Sequence, residues 1–182
     1  MEDRFIEDSV KERLILAGLG ELMEHGSADF SLRRVAIAAQ VSCAAPYRHF
    51  KDKDELIRAV ISHIREDWIL LAGEISTAFS EGGAEHVTEL AVSYVRFWIA
   101  GGNFASFLNA GMLSGFDDPI VKAVRSYAQK SAISPDRASS LTNLILSLAY
   151  GAVTLVTSGV LSADTAVAEL RLEIVRALGN YT

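Results

Sequence analysis

Three adjacent side chains, Tyr47, Arg48 and His49, carry groups that commonly contact nucleic acid. An arginine can donate two hydrogen bonds to guanine O6 and N7, or it can bind a phosphate. Tyrosine and histidine can hydrogen-bond to phosphate oxygens. Lys53 follows at the predicted start of a helix, where its charge and the free backbone N–H groups suit a phosphate. These residue types at this spacing predict contact with DNA.

The surrounding segment, residues 30–56, predicts the elements that must position these side chains. Ser31 is a good N-cap for a short helix that runs through Ala39. Residues 40–42 form a tight turn, and Ser42 caps a second short helix that ends at about Phe50. Two such helices are typical of a helix-turn-helix, whose second helix enters the major groove. The predicted DNA-facing residues are Ser31, Arg33, Arg34, Ser42, Cys43, Ala44, Tyr47, Arg48, His49 and Lys53.

The distribution of charge supports the same interpretation. The chain has a formal net charge of −6, which argues against general coating of nucleic acid. Residues 33–58 nevertheless hold six basic and three acidic side chains, so this window carries +3 and the rest of the chain −9. A small cationic face on an anionic chain suits docking on DNA in one orientation. Taken alone, the charges fit a solvated helical surface about equally well.

The rest of the chain reads as helical, because apolar residues recur at helical spacing and strand patterns are almost absent. Gly, Pro and Ser or Asp residues interrupt this pattern at plausible helix ends. The sequence therefore predicts an all-α protein of nine helices. One helix is predicted for residues 7–25, a long one for 53–79, and others for 84–100, 103–113, 135–158 and 162–178, with a further helix opening at Pro119.

The last two predicted helices have broad apolar faces, which could pair with those of a second chain in a four-helix interface. The alternative is that the core of one chain uses both faces. The dimer is favoured, because a single recognition helix seldom makes enough specific contacts and a two-fold dimer reads a palindrome. The predicted interface comprises Leu141, Leu144, Ile145, Leu148, Ala152, Leu155, Leu170 and Ile174.

Aromatic residues on several helices could converge on a pocket for an apolar or aromatic small molecule. Such clusters more often form plain core, so that alternative stays open. The candidate pocket residues are Trp68, Tyr94, Phe97, Trp98, Phe107, Asn109, Met112 and Tyr150.

The first third of the chain resembles the DNA-binding domain of TetR/AcrR-type transcriptional repressors. The matching elements are His25-Gly26, Ser31, Val35-Ala36-Ile37-Ala38-Ala39, Val41-Ser42, Tyr47-Arg48-His49-Phe50 and Lys53-Asp54-Glu55-Leu56. Gln40 stands where this family usually has a turn glycine, so the turn must accommodate a side chain. The resemblance implies a TetR-like architecture, with a three-helix DNA-binding domain at residues 1–52 and a ligand-binding and dimerisation domain at 53–182. It also implies a ligand-responsive repressor that binds a palindromic operator as a homodimer.

Other classes of function have little support in the sequence. The four histidines show no metal-ligand spacing, and a single cysteine excludes a disulfide framework and Cys-rich zinc sites. There is no glycine-rich phosphate loop or serine-nucleophile motif, so we expect no enzyme and no cofactor.

The polar N-terminus does not look like a signal peptide, and the apolar runs look too short or interrupted to span a membrane, which predicts a cytoplasmic protein. A helical protein-interaction adaptor without specific DNA binding is the remaining alternative, and a regulator could also activate.

Overall fold

A computed structural model describes residues 2–101 and 118–181, and all of the regular secondary structure in these ranges is helical. The all-helical prediction is confirmed. The predicted helix at residues 103–113 lies outside the described residues. The described part contains eight helices: α1 (Glu2–His25), α2 (Leu32–Ala38), α3 (Pro46–His49), α4 (Lys53–Ala78), α5 (Ala84–Ala100), α6 (Pro119–Lys130), α7 (Pro135–Thr157) and α8 (Ala163–Tyr181).

The chain forms two compact units, Met1–Glu66 and Asp67–Thr182. The division falls inside α4, so this helix contributes residues to both units. The predicted functional boundary after Asp52 stays a prediction, because compactness does not show where DNA binding ends and ligand binding begins.

In the first unit, α1 packs against the short helices and against the start of α4. Leu14, Leu22 and Val60 are fully buried in its core. A Cβ atom on Gly18 would lie only 2.9 Å from Cγ2 of Val60, so glycine at this position lets α1 and α4 approach closely. Gly26 follows α1 with φ of 69°, and its N–H donates to Leu22 O over 2.9 Å, as the sequence predicted for a helix stop.

In the second unit, α5 packs against α6, α7 and α8. Nine of its residues are buried, including His86, Tyr94 and Trp98. Tyr127 on α6 donates its hydroxyl to Leu178 O over 3.2 Å, which ties α6 to α8. Because α5 lies among three other helices, His86, Tyr94 and Trp98 are held inside the unit and away from water.

Three predicted helix bounds differ from the structure by three residues or more. The first helix was expected from residue 7, but α1 begins at Glu2. The second short helix was expected from Ser42, but α3 begins at Pro46 and residues 43–45 form a turn, with the Ala45 N–H donating to Ser42 O over 2.9 Å. Proline suits a first helical position because it has no N–H to leave unsatisfied. The last helix was expected to end before Gly179, but α8 continues through that glycine to Tyr181.

Helix α7 is long and apolar enough to cross a membrane, judged by length and composition alone. The expectation that no segment reaches this threshold is therefore wrong for α7. The criterion is weak evidence for a single helix, since core helices of folded domains also meet it. One face of α7 packs into the second unit through Leu141, Ile145 and Val153, all of which are fully buried.

The dimer prediction needs a correction at five of its eight residues. Leu141, Ile145, Ala152, Leu170 and Ile174 are all buried by their own chain. They lie on the faces of α7 and α8 that form the core of the second unit, so they have no surface to offer a second copy. Of the predicted set, Leu144 and Leu155 are exposed and Leu148 is half-buried.

Candidate functional site

The turn between α2 and α3 fixes the candidate DNA-facing surface. Ser31 caps α2, its side-chain oxygen accepting from the Arg34 N–H over 3.4 Å. Gln40 follows α2 with φ of 56°, in the left-handed region that favours glycine. The Val41 N–H donates to Ala36 O over 3.0 Å and closes the turn. The turn thus accommodates the Gln40 side chain by placing that residue in the left-handed region, at the position where the family usually has glycine.

Replacing Gln40 by glycine is expected to raise the free energy of unfolding by about 0.5 to 1 kcal/mol. Glycine removes the steric penalty of positive φ, and the gain is partly offset by the greater freedom of the unfolded chain. Urea denaturation followed by circular dichroism measures the change. Gln40→Ala is the control and should give no such gain, because alanine keeps the Cβ atom.

The side chains that follow the turn are presented to solvent. Tyr47 is 66% exposed, and Arg48 is exposed beside it. Helix α3 is anchored from beneath by Ala45, Pro46 and Phe50, which are buried. Of the other predicted contacts, His49 and Lys53 are half-buried, and those that are exposed are Arg33, Ser42, Cys43 and Ala44. The buried residues therefore hold α3 in place, and most of the exposed residues around them are polar. A surface that docks in a DNA groove needs both.

Arg34 has a structural role that the sequence analysis missed. Its Nε donates to Glu21 Oε1 over 2.8 Å, and its Nη2 lies 2.6 Å from the same carboxylate. Nη2 also pairs with Asp29 Oδ2 over 3.2 Å and donates to the Asp29 carbonyl. Because these partners occupy the guanidinium, we withdraw Arg34 from the predicted DNA contacts. Arg33, the exposed neighbour, stays in that set.

Glu21 organises this corner of the first unit from a buried position, being 8% exposed. Its Oε1 accepts from the Ser31 N–H over 2.9 Å, so one carboxylate joins α1 to the N-cap of α2. Burial alone would raise the pKa of Glu21, but the hydrogen bonds from Arg34 and Ser31 outweigh it and lower the pKa. The ionised carboxylate is therefore the form that the fold holds in place. No spacing rule links residues 21 and 34, so the sequence alone did not indicate this pair.

The predicted aromatic cluster is assembled in the second unit. The rings of Trp68 and Tyr94 meet edge to face with centroids 5.2 Å apart, and Tyr150 meets Tyr94 in the same way at 5.6 Å. Phe97 lies 5.7 Å from Trp68 and 5.5 Å from Trp98. The other predicted members, Phe107, Asn109 and Met112, lie outside the described residues. Contact among five rings fits both a pocket wall and a plain core.

Unsatisfied polar atoms distinguish this cluster from an ordinary apolar core. Trp68 Nε1, Tyr94 Oη and Tyr150 Oη are buried, and the described part of the chain offers them no hydrogen-bond partner. Burial and the Tyr150 hydroxyl raise the pKa of Tyr94, and burial raises that of Tyr150 to about 12, so both phenols stay protonated. Each unsatisfied buried group costs about 1 to 3 kcal/mol. Three such atoms in one cluster suggest a place for a polar group that comes from elsewhere.

Metal chemistry has no support in the described ranges. Within residues 2–101 and 118–181, no three His, Cys, Asp or Glu side chains are grouped so that they could hold a metal ion. Cys43 is free and exposed on the candidate DNA-facing surface.

The fold and the exposed residues of α3 define the class: an all-helical protein with an N-terminal helix-turn-helix. Solved structures share this fold. The structure of RolR with resorcinol superposes with a TM-score of 0.72 over 97% of this chain and 90% of that one, at 15% identity. The structure of FadR from Bacillus subtilis with stearoyl-CoA gives a TM-score of 0.69 over 92% and 96% of the two chains, also at 15% identity.

Sequence similarity supplies the family. Residues 14–60 match the sequence model described as bacterial regulatory proteins, tetR family. The chain is also 28% identical over 125 residues to the HTH-type transcriptional regulator BetI of Brucella suis biovar 1 (strain 1330). That alignment covers 66% of this chain and 61% of the relative, so it spans less than two thirds of the curated protein. Residues 14–60 of the chain are therefore similar to the tetR family, as the N-terminal motifs indicated.

Proposed function

We propose that this protein is a sequence-specific, DNA-binding transcriptional regulator that acts in the cytoplasm as a ligand-responsive repressor. The observation that carries the proposal is the exposed pair Tyr47 and Arg48 on a short helix whose underside is buried. This surface lies within the residues that match the family. Arg48 is the residue suited to reading a guanine, whereas Tyr47, His49 and Lys53 are suited to phosphates.

A second copy of the chain is the partner that best suits the outer faces of α7 and α8. On α7 the residues Leu144, Leu148, Gly151 and Leu155 follow one another at helical spacing and are exposed or half-buried. On α8 the corresponding exposed stripe is Ala168, Leu172, Val175 and Gly179. Each stripe combines large apolar side chains with small residues that permit close helix packing. The proposed homodimer uses these two stripes and would bind a palindromic operator.

The aromatic cluster is the proposed effector site. Its rings suit an apolar or aromatic molecule, and its three unsatisfied N–H and O–H groups would hydrogen-bond to an oxygen on that molecule. RolR and FadR share the fold and were solved with resorcinol and stearoyl-CoA, so this architecture accepts small molecules of very different size. The three unsatisfied groups favour an effector that carries at least one oxygen acceptor.

Helix α4 is the proposed route from effector to DNA. Its residues 53–66 belong to the first unit and its remaining residues to the second, which includes Trp68 of the aromatic cluster. An effector that contacts Trp68 therefore acts on the helix that begins beside the DNA-facing surface. It changes DNA affinity only if it binds one conformation of the chain better than the other.

Selection of random duplex DNA by the purified protein tests the proposal. We expect recovery of an inverted repeat, and a steep loss of affinity for it as salt increases. If no sequence is enriched in the presence or absence of candidate aromatic effectors, the adaptor alternative is favoured. The match of residues 14–60 to a family of regulatory proteins favours a regulator over an enzyme.

Replacing Arg48 by alanine is expected to weaken binding to the selected duplex by about 10- to 100-fold for each half-site contact. The reason is the loss of hydrogen bonds to a base or phosphate, and the fold should be unaffected because Arg48 is exposed. Fluorescence anisotropy with labelled duplex gives the dissociation constants. Arg96→Ala, at an exposed position on α5, is the matched control and should bind with unchanged affinity.

A further inference from the structure

The three unsatisfied donors of the aromatic cluster come from three different helices. Trp68 lies on α4, Tyr94 on α5 and Tyr150 on α7, and the Tyr94 ring contacts both of the others. Trp68 and Tyr94 are each 3% exposed, and the hydroxyl oxygen of Tyr150 is buried although that residue as a whole is half-buried. The fold thus gathers three N–H and O–H groups where water has little access.

The two tyrosine hydroxyls lie close enough to influence each other. The Tyr150 hydroxyl is one of the groups that raise the pKa of Tyr94, after burial. Neither hydroxyl has a hydrogen-bond partner in the described part of the chain. Because both phenols stay protonated, each has one O–H to donate. Two neighbouring donors of this kind match the two lone pairs of a single carbonyl oxygen.

The charge that acts on the cluster is negative. Asp118 precedes α6, and its Oδ1 accepts from the Ile120 N–H over 2.8 Å, which holds the carboxylate at the start of that helix. After burial, the charge of Asp118 contributes to raising the pKa of both Tyr94 and Tyr150. Among the described residues, no lysine or arginine contributes to either shift, and residues 101–118 include neither type in their sequence. An anionic ligand would therefore be buried near a carboxylate without a compensating cation, which is unfavourable.

Other uncharged or cationic ligands fit these groups less well. An alcohol adds a further O–H to a cluster that already has three unpaired donors, and a hydrocarbon leaves all three unpaired. An organic cation suits the aromatic rings and Asp118, but it has no lone pair that could accept from the hydroxyls. An uncharged carbonyl compound satisfies the donors and adds no charge.

We propose that the aromatic cluster binds an uncharged carbonyl compound with an aromatic or apolar body, and that it excludes carboxylates of the same shape. The carbonyl oxygen accepts from the hydroxyls of Tyr94 and Tyr150, and the body of the ligand lies against the rings of Trp68 and Phe97. This inference rests on the proposed effector site and is independent of DNA binding.

Isothermal titration calorimetry of the full chain without DNA tests the ligand class with three probes of similar size. Acetophenone is expected to bind in the millimolar range or tighter, and about 10-fold more tightly than sodium benzoate or phenyltrimethylammonium chloride. If none of the three binds at millimolar concentration, both the effector site and this inference are wrong. If benzoate or phenyltrimethylammonium binds as tightly as acetophenone, the effector site stands and the proposed ligand class is wrong.

Two conservative variants locate the carbonyl oxygen. Tyr94→Phe and Tyr150→Phe each keep the ring and remove one donor, so acetophenone affinity should fall about 5- to 10-fold. Urea denaturation should show no loss of stability, because each substitution removes a buried hydroxyl that has no partner. Tyr181→Phe on α8 makes the same substitution outside the cluster and should bind like the parent. Unchanged acetophenone binding in both folded cluster variants would refute the assignment.

Replacing Asp118 by asparagine tests the electrostatic part of the inference. Asparagine also caps helices, so α6 should keep its start. Removal of the negative charge is expected to raise benzoate affinity several-fold and to leave acetophenone affinity unchanged, as measured by the same calorimetry. An unchanged ratio of the two affinities would show that Asp118 does not exclude anions and would overturn that part of the proposal.

Discussion

Replacing Leu155 by glutamate is expected to convert the protein from a dimer into a monomer and to weaken operator binding by about 100-fold or more. Leu155 is 40% exposed on the outer stripe of α7. In the proposed dimer the new carboxylate would be buried without a partner, which strongly opposes association. A monomer also loses the advantage of binding two half-sites at once. Analytical ultracentrifugation measures the mass, and anisotropy with the selected duplex measures the affinity.

The control is Leu70→Glu on α4, where the leucine is 69% exposed and lies outside both stripes. It should remain dimeric with full operator affinity. If Leu155→Glu stays dimeric, the stripes on α7 and α8 are not the interface. If it becomes monomeric but binds the duplex normally, dimerisation is not needed to read the operator.

Replacing Glu21 by alanine is expected to lower the free energy of unfolding by about 2 to 3 kcal/mol. The substitution removes the acceptor for the Ser31 N–H and one charged partner of Arg34, so the backbone donor loses its hydrogen bond and the guanidinium keeps only its contacts with Asp29. Urea denaturation at a fixed protein concentration measures the loss, since the proposed dimerisation would make stability depend on concentration. Glu21→Gln keeps one acceptor oxygen and should fall between the parent and the alanine variant.

The exposed Glu24 on the same helix provides the control, and Glu24→Ala should change stability by less than about 0.5 kcal/mol. If Glu21→Ala and Glu24→Ala change the free energy of unfolding equally, the Glu21–Arg34 pair contributes no more than a surface ion pair. A loss of DNA binding in Glu21→Ala with full stability would instead return Arg34 to the DNA-contacting set.

Lowering the pH should reduce the contribution of Glu21 to the free energy of unfolding. Its pKa is lower in the folded chain than in the unfolded one, so the unfolded state takes up a proton first as the pH falls. The stabilisation is complete above the unfolded pKa of about 4.3 and is lost as the pH falls through the lower folded pKa. The difference in unfolding free energy between parent and Glu21→Gln is therefore expected to shrink below about pH 4. A difference that stays constant down to low pH would contradict this account.

The sequence by itself determined the helical class and most helix starts, and it predicted the candidate DNA-facing surface. These features depend on local physics: Ser31, Asp118 and Ser162 all accept hydrogen bonds from the first turns of the helices they precede. Which residues of α3 are exposed also depends on the local sequence. Pro46 and Phe50 are buried, and Tyr47 and Arg48 between them then face outward. The bounds of α5 agree with the sequence prediction at both ends.

Tertiary structure alone decided how each apolar or charged side chain is used. Leu141 and Leu144 are both apolar residues of α7, yet one is buried by its own chain and the other is exposed. Helical periodicity identifies an apolar face but does not say which neighbour covers it. Arg33 and Arg34 are adjacent and chemically identical, and only the position of Glu21 on another helix makes one of them structural. Contacts between residues distant in sequence depend on how helices pack, which local patterns do not encode.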